Sequence, residues 1–281
     1  MKKQLIFDIG GTYIKYAYVT DAHIDYGSFP VIDSAGKEDV PTALANFIAQ
    51  YQVDEIGISV PGPFDLDNGI SLIDFKLLSL YRVNLRELIK KHLPNAKVMF
   101  VHDAVAFTLG AVSQDSKLLK EKVACAMLGT GLGYAYCEYG RIWVNKAKIA
   151  MPELSFQKHR NERIDDITSA TGLINKAKQA GYHFRYVKDM AKAAETDEKL
   201  KAIFYEVGQF FGEVMNNEQK VDGFTRLIIG GGVSNVWYLL KKGFESASKI
   251  NYQIITDSTA CPIQGVRFAL NQGQENIYFH R

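Results

Sequence analysis

Gly129-Thr130-Gly131-Leu132-Gly133 separates two runs of strand character, and the rest of the chain can be placed outward from it. Ahead of it stands Val123-Ala124-Cys125-Ala126-Met127-Leu128, apolar and of strand length. Behind it comes Tyr134-Ala135-Tyr136-Cys137-Glu138-Tyr139-Gly140-Arg141-Ile142-Trp143-Val144, aromatic and β-branched, with a Gly-Arg turn inside it. The pattern predicts strand, tight turn, strand, turn, strand. Glycines this close together let main-chain N–H groups approach an anion with no Cβ in the way. The turn is therefore a candidate phosphate cradle. Its spacing resembles the dinucleotide fingerprint, but that motif requires a helix directly after the glycines, and here a hairpin follows. A mononucleotide P-loop is excluded, because Gly-Lys-Ser/Thr occurs nowhere in the chain.

A second copy lies near the N-terminus. Lys3-Gln4-Leu5-Ile6-Phe7 reads as a buried strand that runs into Asp8-Ile9-Gly10-Gly11-Thr12, and Tyr13 to Thr20 reads as the returning strand. Either copy alone is an ordinary hairpin. Two copies about half a chain apart point to two related domains facing each other, with both turns holding one polyphosphate.

With 281 residues there is enough chain for two medium domains, each with its own core. A hydrophobic content of 47% and a charged content of 23% are globular values. The net charge of +2 comes without a long basic or acidic block, which argues against a nucleic-acid partner. No apolar run reaches membrane-spanning length, and the opening residues lack a signal-peptide core. Cys125, Cys137 and Cys261 stand far apart and in no metal-ligand spacing. A cytoplasmic protein without obligatory disulfides or a membrane partner is expected.

In chain order, His23 to Ile32 can supply a third strand, and Pro41 to Tyr51 has helical spacing through Leu44, Phe47, Ile48 and Tyr51. Asp54 to Val60 reads as a buried strand stopped by Pro61-Gly62-Pro63, at the kind of strand end where open α/β sheets place ligand contacts. Val83 to Leu93 reads as a helix. Lys97 to Val101 is the next strand, followed by His102-Asp103-Ala104 and a helix to Val112. Asp103, between a strand end and a helix start, is well placed for chemistry, although a plain N-cap or surface charge is the commoner meaning of that position. Lys146 to Ile167 is polar and gives no clear element, and helix resumes around Ser169 to Ile174. Glu198 to Lys220 is a long amphipathic helix whose aromatics are core. Arg226 to Ile229 is a strand entering Gly230-Gly231-Gly232-Val233-Ser234, with Ser234 expected to cap a helix from Asn235 to Ser246. Tyr252 to Ile255 is a strand, and Pro262 to Asn271 a final helix with proline in its first turn.

Five of these motifs, in this order, resemble the ROK family of bacterial sugar kinases and regulators within the hexokinase–actin-like superfamily. They are Asp8-Ile9-Gly10-Gly11-Thr12, Ile58-Ser59-Val60-Pro61-Gly62-Pro63, His102-Asp103-Ala104, Leu128 to Gly133, and Ile229-Gly230-Gly231-Gly232-Val233-Ser234. The resemblance spans nearly the whole chain. It implies an α/β fold of two ribonuclease-H-like domains around a central cleft: residues 1–113 with the C-terminal segment 262–281, and residues 114–261. It implies Mg-ATP-dependent transfer of the γ-phosphoryl group to a sugar hydroxyl, with Asp103 as general base. Asp8 would position the magnesium through water. Gly10, Gly11, Thr12, Lys15, Gly129, Thr130 and Gly131 would contact the nucleotide phosphates, with Gly231 and Gly232 under the adenosine. Pro61, Gly62, His102, Asp103, Glu153, Phe156 and Asp165 would face the sugar. Homodimers are usual in the family, though no residue here marks one.

Departures from the family pattern bear on the acceptor. His102 stands where asparagine is usual, and Phe156 where a histidine binds sugar and zinc. The Cys-rich zinc loop is missing: Gln157 to Arg163 holds His159 but no cysteine, so no zinc is expected. Asp165 stands in for a sugar-contacting glutamate, with Asp166 as the neighbouring alternative. An aromatic ring in place of a polar contact exchanges hydrogen bonding for stacking area. This favours an N-acetylhexosamine, a β-glucoside or a disaccharide over plain glucose. A non-catalytic sugar sensor is the competing reading. A repressor is disfavoured, because the family's repressors carry a helix-turn-helix ahead of the first strand. An acyl-phosphate-forming kinase is disfavoured by the Pro-Gly-Pro and Gly-Gly-Gly-Val-Ser motifs.

Overall fold

The computed structural model describes residues 2–32, 36–255 and 259–281. The chain divides into two compact units. The first comprises residues 1–114, 144–149 and 260–280, and the second 115–143, 150–259 and 281.

The first unit opens with three antiparallel strands, β1 (Gln4–Ile9), β2 (Tyr13–Val19) and β3 (Ile24–Pro30). Helix α1 (Val40–Ile48) leads to β4 (Glu55–Val60), and α2 (Leu85–His92) to β5 (Lys97–His102). The sheet order is β3-β2-β1-β4-β5, with β1, β4 and β5 parallel to one another. β4 is buried at every position, as an inner parallel strand must be when both faces are covered. Its isoleucines join Leu5, Phe7, Ile14, Val40, Leu44 and Phe100 in the core. α3 (Asp103–Ser113) follows β5 directly.

The second unit repeats this scheme. Strands β6 (Lys122–Leu128), β7 (Leu132–Glu138) and β8 (Arg141–Trp143) are antiparallel. Helices α4 (Ile164–Thr168), α5 (Ala170–Gln179), α6 (Val187–Ala194) and α7 (Glu198–Asp222) fill the space before β9 (Arg226–Gly230). Then come α8 (Trp237–Ala247) and β10 (Tyr252–Ile254). This unit's own strands run in the order β10-β9-β6-β7-β8, with β6, β9 and β10 parallel. Both units thus show the ribonuclease-H-like order, three antiparallel strands extended by two parallel ones. The last helix, α9 (Cys261–Gln272), belongs to the first unit, where it packs on α3.

Glycines set how closely the paired helices approach in both units. A Cβ on Gly110 would lie 1.8 Å from Cys261 O, and one on Gly265 would lie 1.8 Å from Ala106 O. In the α7–α8 pair the corresponding gaps are 2.1 Å from Gly208 to Leu240 O and 1.9 Å from Gly243 to Tyr205 O. Any side chain there would push main chain against main chain.

Two local expectations are corrected. Ser234 does not cap the following helix: residues Gly232–Val236 form a 3₁₀ turn, and α8 starts at Trp237. The Ser234 hydroxyl instead donates to Gly231 O at 2.8 Å or Ile255 O at 3.1 Å, closing the glycine loop onto the strand end. The polar stretch after Lys146 contains a β-hairpin, Lys158–His159 paired with Glu162–Arg163. Arg160 and Asn161 at its tip have φ of 52° and 66°, the left-handed pair of a two-residue turn. Among the described residues no helix is long and apolar enough to cross a membrane.

Candidate active site

The sequence-predicted residues fall into two half-sites, one in each unit. In the first unit, Asp8 sits near the end of β1, in register with Lys15 on β2 and Ser59 on β4. Ser59 in turn pairs with Val101 on β5, so Asp8, Ser59 and Val101 form a row across three neighbouring parallel strands. His102 and Asp103 lie just beyond that row, as does Pro61-Gly62 after β4. Burial pushes the Asp8 carboxyl above its ordinary range; Ser59 and Lys15 draw it back, and the negative Asp103 pushes it up again. Both carboxylates stand at the same end of the parallel strands.

The first glycine turn follows at once. Gly10 N donates to Tyr13 O at 3.1 Å, and a Cβ on Gly10 would lie 2.8 Å from that oxygen. Gly11 and Thr12 are exposed, and nothing lies within 4 Å of where a Gly11 Cβ would be. Their N–H groups donate to nothing among the described residues. Open donors on a tight turn suit a phosphate.

His102 ends β5 and precedes α3, with its side chain buried. Burial lowers its pKa against the pull of Asp103, which keeps the ring neutral at pH 7. Nε2 has no partner among the described residues, and Nδ1 is 3.7 Å from where a Gly62 Cβ would be. A buried imidazole with a spare nitrogen beside Asp103 can bind a hydroxyl. Asp103 opens α3, and its Oδ1 accepts from Ala104 N at 2.8 Å, which fixes the carboxylate at the helix start. It is the first helical residue rather than the cap.

The second half-site is built on Gly129-Thr130-Gly131. Gly129 N donates to Gly131 O at 3.0 Å, closing the turn. Its carbonyls are tied to the start of α5: Ala170 N donates to Gly129 O at 2.8 Å and Thr171 Oγ1 to Thr130 O at 2.8 Å. Asp165 Oδ1 accepts from Leu132 N at 2.6 Å. The N–H groups of Thr130 and Gly131 donate to nothing among the described residues. Gly231, with φ 87°, would bring a Cβ within 2.6 Å of Leu128 O, so the β9 glycine loop abuts the start of this turn. Gly232 is open and exposed.

Elsewhere in this unit, the Glu153 carboxylate has no partner among the described residues. Phe156 is 71% exposed, with the Arg163 guanidinium 5.2 Å from its ring centre. Asp165 reaches the glycine turn, whereas Asp166 is exposed. His159, in the stretch without cysteines, pairs with Glu213 at 2.9 Å. Among the described residues no group of three or more His, Cys, Asp or Glu could hold a metal ion. Sequence reasoning missed the bracing of the second turn by Asp165, Ala170 and Thr171, and it missed Arg163. The one local signal was Ser169, which caps α5 by accepting from Gly172 N at 3.1 Å.

No protein-family model and no curated protein matches the chain. Solved structures do. The ROK hexokinase from Thermus thermophilus superposes with a TM-score of 0.79 at 16% identity, over 96% of this chain and 100% of that one. A ROK family protein from Streptococcus pneumoniae, in complex with sucrose, gives 0.76 at 19% identity, over 97% and 99%. A ROK glucokinase from Streptomyces griseus, in complex with glucose and AMPPNP, gives 0.73 at 17% identity, over 96% and 100%. The chain shares the mixed α/β fold of these ROK proteins.

Proposed function

We propose that this chain is an ATP-dependent carbohydrate kinase of the ROK type. It transfers the γ-phosphoryl group to a hydroxyl of a glucose-type sugar, an N-acetylhexosamine or a β-glucoside. The observation that carries the reading is the row at the ends of β1, β4 and β5, where Asp8 and, one step beyond, Asp103 stand at the same end of the sheet beside a glycine turn whose N–H groups are free among the described residues.

Asp103 accepts the proton of the attacking hydroxyl as its oxygen bonds to phosphorus, and the bond to the ADP leaving oxygen breaks. His102 Nε2 and the Glu153 carboxylate bind acceptor hydroxyls, and the Phe156 ring stacks on the sugar. The N–H groups of Gly11, Thr12, Thr130 and Gly131, with Lys15, hold the phosphates. Gly231 and Gly232 would sit under the adenosine, with open space at Gly232. One carboxylate near the phosphates, rather than a full cage of protein ligands, fits magnesium, which keeps several waters and takes its remaining oxygens from the substrate. Asp8 would position it through water, and the ion would neutralise charge on the phosphate oxygens.

A coupled ADP-release assay tests the proposal, with Mg-ATP against hexoses, N-acetylhexosamines and β-glucosides. One acceptor should give clear turnover that Asp103→Asn abolishes. Sugar binding with no ATP turnover across the panel would replace the kinase by a sensor.

A further inference from the structure

Arg163 touches groups that the proposed chemistry assigns to different tasks. Its Nε donates to Ser155 O at 2.8 Å, and its guanidinium lies over the Phe156 ring. One Nη faces Asp165 Oδ2 at 3.7 Å, while the other Asp165 oxygen holds Leu132 N at 2.6 Å. A continuous path thus runs from the exposed ring through arginine and carboxylate into the second glycine turn.

Phe156 makes no other aromatic or cation contact among the described residues. Arg163 itself is well held: it lies on the second strand of the 158–163 hairpin, whose first strand and tip are pinned to α7 by Glu213, through His159 and Arg160 respectively. The planar guanidinium can stack on a ring and donate in its own plane at once, which an ammonium cannot do. This hairpin stands where the ROK resemblance leads one to expect a cysteine-rich metal loop.

We propose that Arg163 is a positioning residue that holds the Phe156 ring and the 129–133 glycine turn in one fixed relation, by way of Asp165. That the ring meets the acceptor and the turn the nucleotide rests on the kinase reading; the linkage itself does not. Ring orientation and turn geometry are then set by a stacked cation and a hairpin.

Two readouts test it. Hydrogen exchange in the peptide spanning Leu128 to Gly133 needs no substrate. Arg163→Met should speed exchange at Leu132 by ~10-fold as Asp165 loses its partner, and Arg163→Lys should restore part of the protection. In turnover assays with the best acceptor of the panel, Arg163→Met should raise KM for both sugar and Mg-ATP by ~5-fold, with kcat within about 2-fold. Phe156→Ala should raise the sugar KM alone. Unchanged exchange at Leu132, or a lowered melting temperature with both KM values intact, would overturn the proposal. Should Arg163→Met fail to fold, Arg163→Lys against wild type decides the exchange arm. Absence of any turnover in the wild type would remove the kinase reading while leaving that arm to decide the linkage.

Discussion

The two glycine turns occupy equivalent places in equivalent sheets, yet they are held to different degrees. Gly10-Gly11-Thr12 has one outside tie, from Val31 N to Thr12 O at 3.1 Å, and a charged residue, Asp8, stands just before it. Gly129-Thr130-Gly131 has the uncharged Met127 and Leu128 before it, and is braced from outside by Ala170, Thr171 and Asp165. The same strand–turn–strand unit thus carries a carboxylate ahead of the turn in one half and a more heavily braced turn in the other. A duplicated scaffold can divide labour in this way because the turn needs only its glycines, while the surrounding helices decide what else reaches it.

The sharpest break in the comparison concerns chemistry. Asp103→Asn should lower kcat by roughly a hundred- to ten-thousand-fold while leaving nucleotide affinity in place, as steady-state kinetics beside calorimetry will show. A comparable kcat loss from a substitution in the second half-site, with binding intact, would contradict the division of labour.

The helix pairs are the feature the two halves share. Gly265→Ala in α9 and Gly243→Ala in α8 should each cost about 3 kcal/mol, since each new Cβ meets a carbonyl oxygen under 2 Å away. Urea midpoints that fall for one and not the other would show that only one half depends on the close crossing.

A pH effect on stability is expected from the second unit. Burial, and then the neighbouring Asp222, push the Glu218 carboxyl up to about 7. Its folded pKa exceeds its unfolded one, so the folded state binds the extra proton, and stability falls as pH rises from about 4.5 through 7. With partial exposure discounted, the loss is about 2 kcal/mol, and Glu218→Gln should flatten that part of the stability–pH curve. Asp222, buried and paired with Arg281 at 2.7 Å, keeps the cluster from being purely repulsive.

The smallest effect separates the turns most finely. Thr171→Val removes one brace from the second turn and should raise KM for Mg-ATP about fivefold, with no change in the sugar KM. Gly11→Ala, with open space around it, should leave stability within about 0.5 kcal/mol, so any loss of affinity there reports the phosphate contact itself.

What the sequence by itself determined is what local chemistry encodes. Alternating apolar runs placed the strands, glycine clusters placed the turns, and the order of five motifs pointed to the fold. Asp8, Asp103 and Gly231 were legible because each is fixed by its position at a strand or helix end. Only the tertiary structure decided that Asp165 turns to Leu132, which lies 33 residues earlier in the chain, and that Asp166 does not. It also moved Ser234 from a helix cap to a loop closure and set Arg163 over Phe156. Periodicity and turn propensity act over a few residues. Which carboxylate meets which N–H, and how closely two helices cross, depends on packing between segments far apart in sequence.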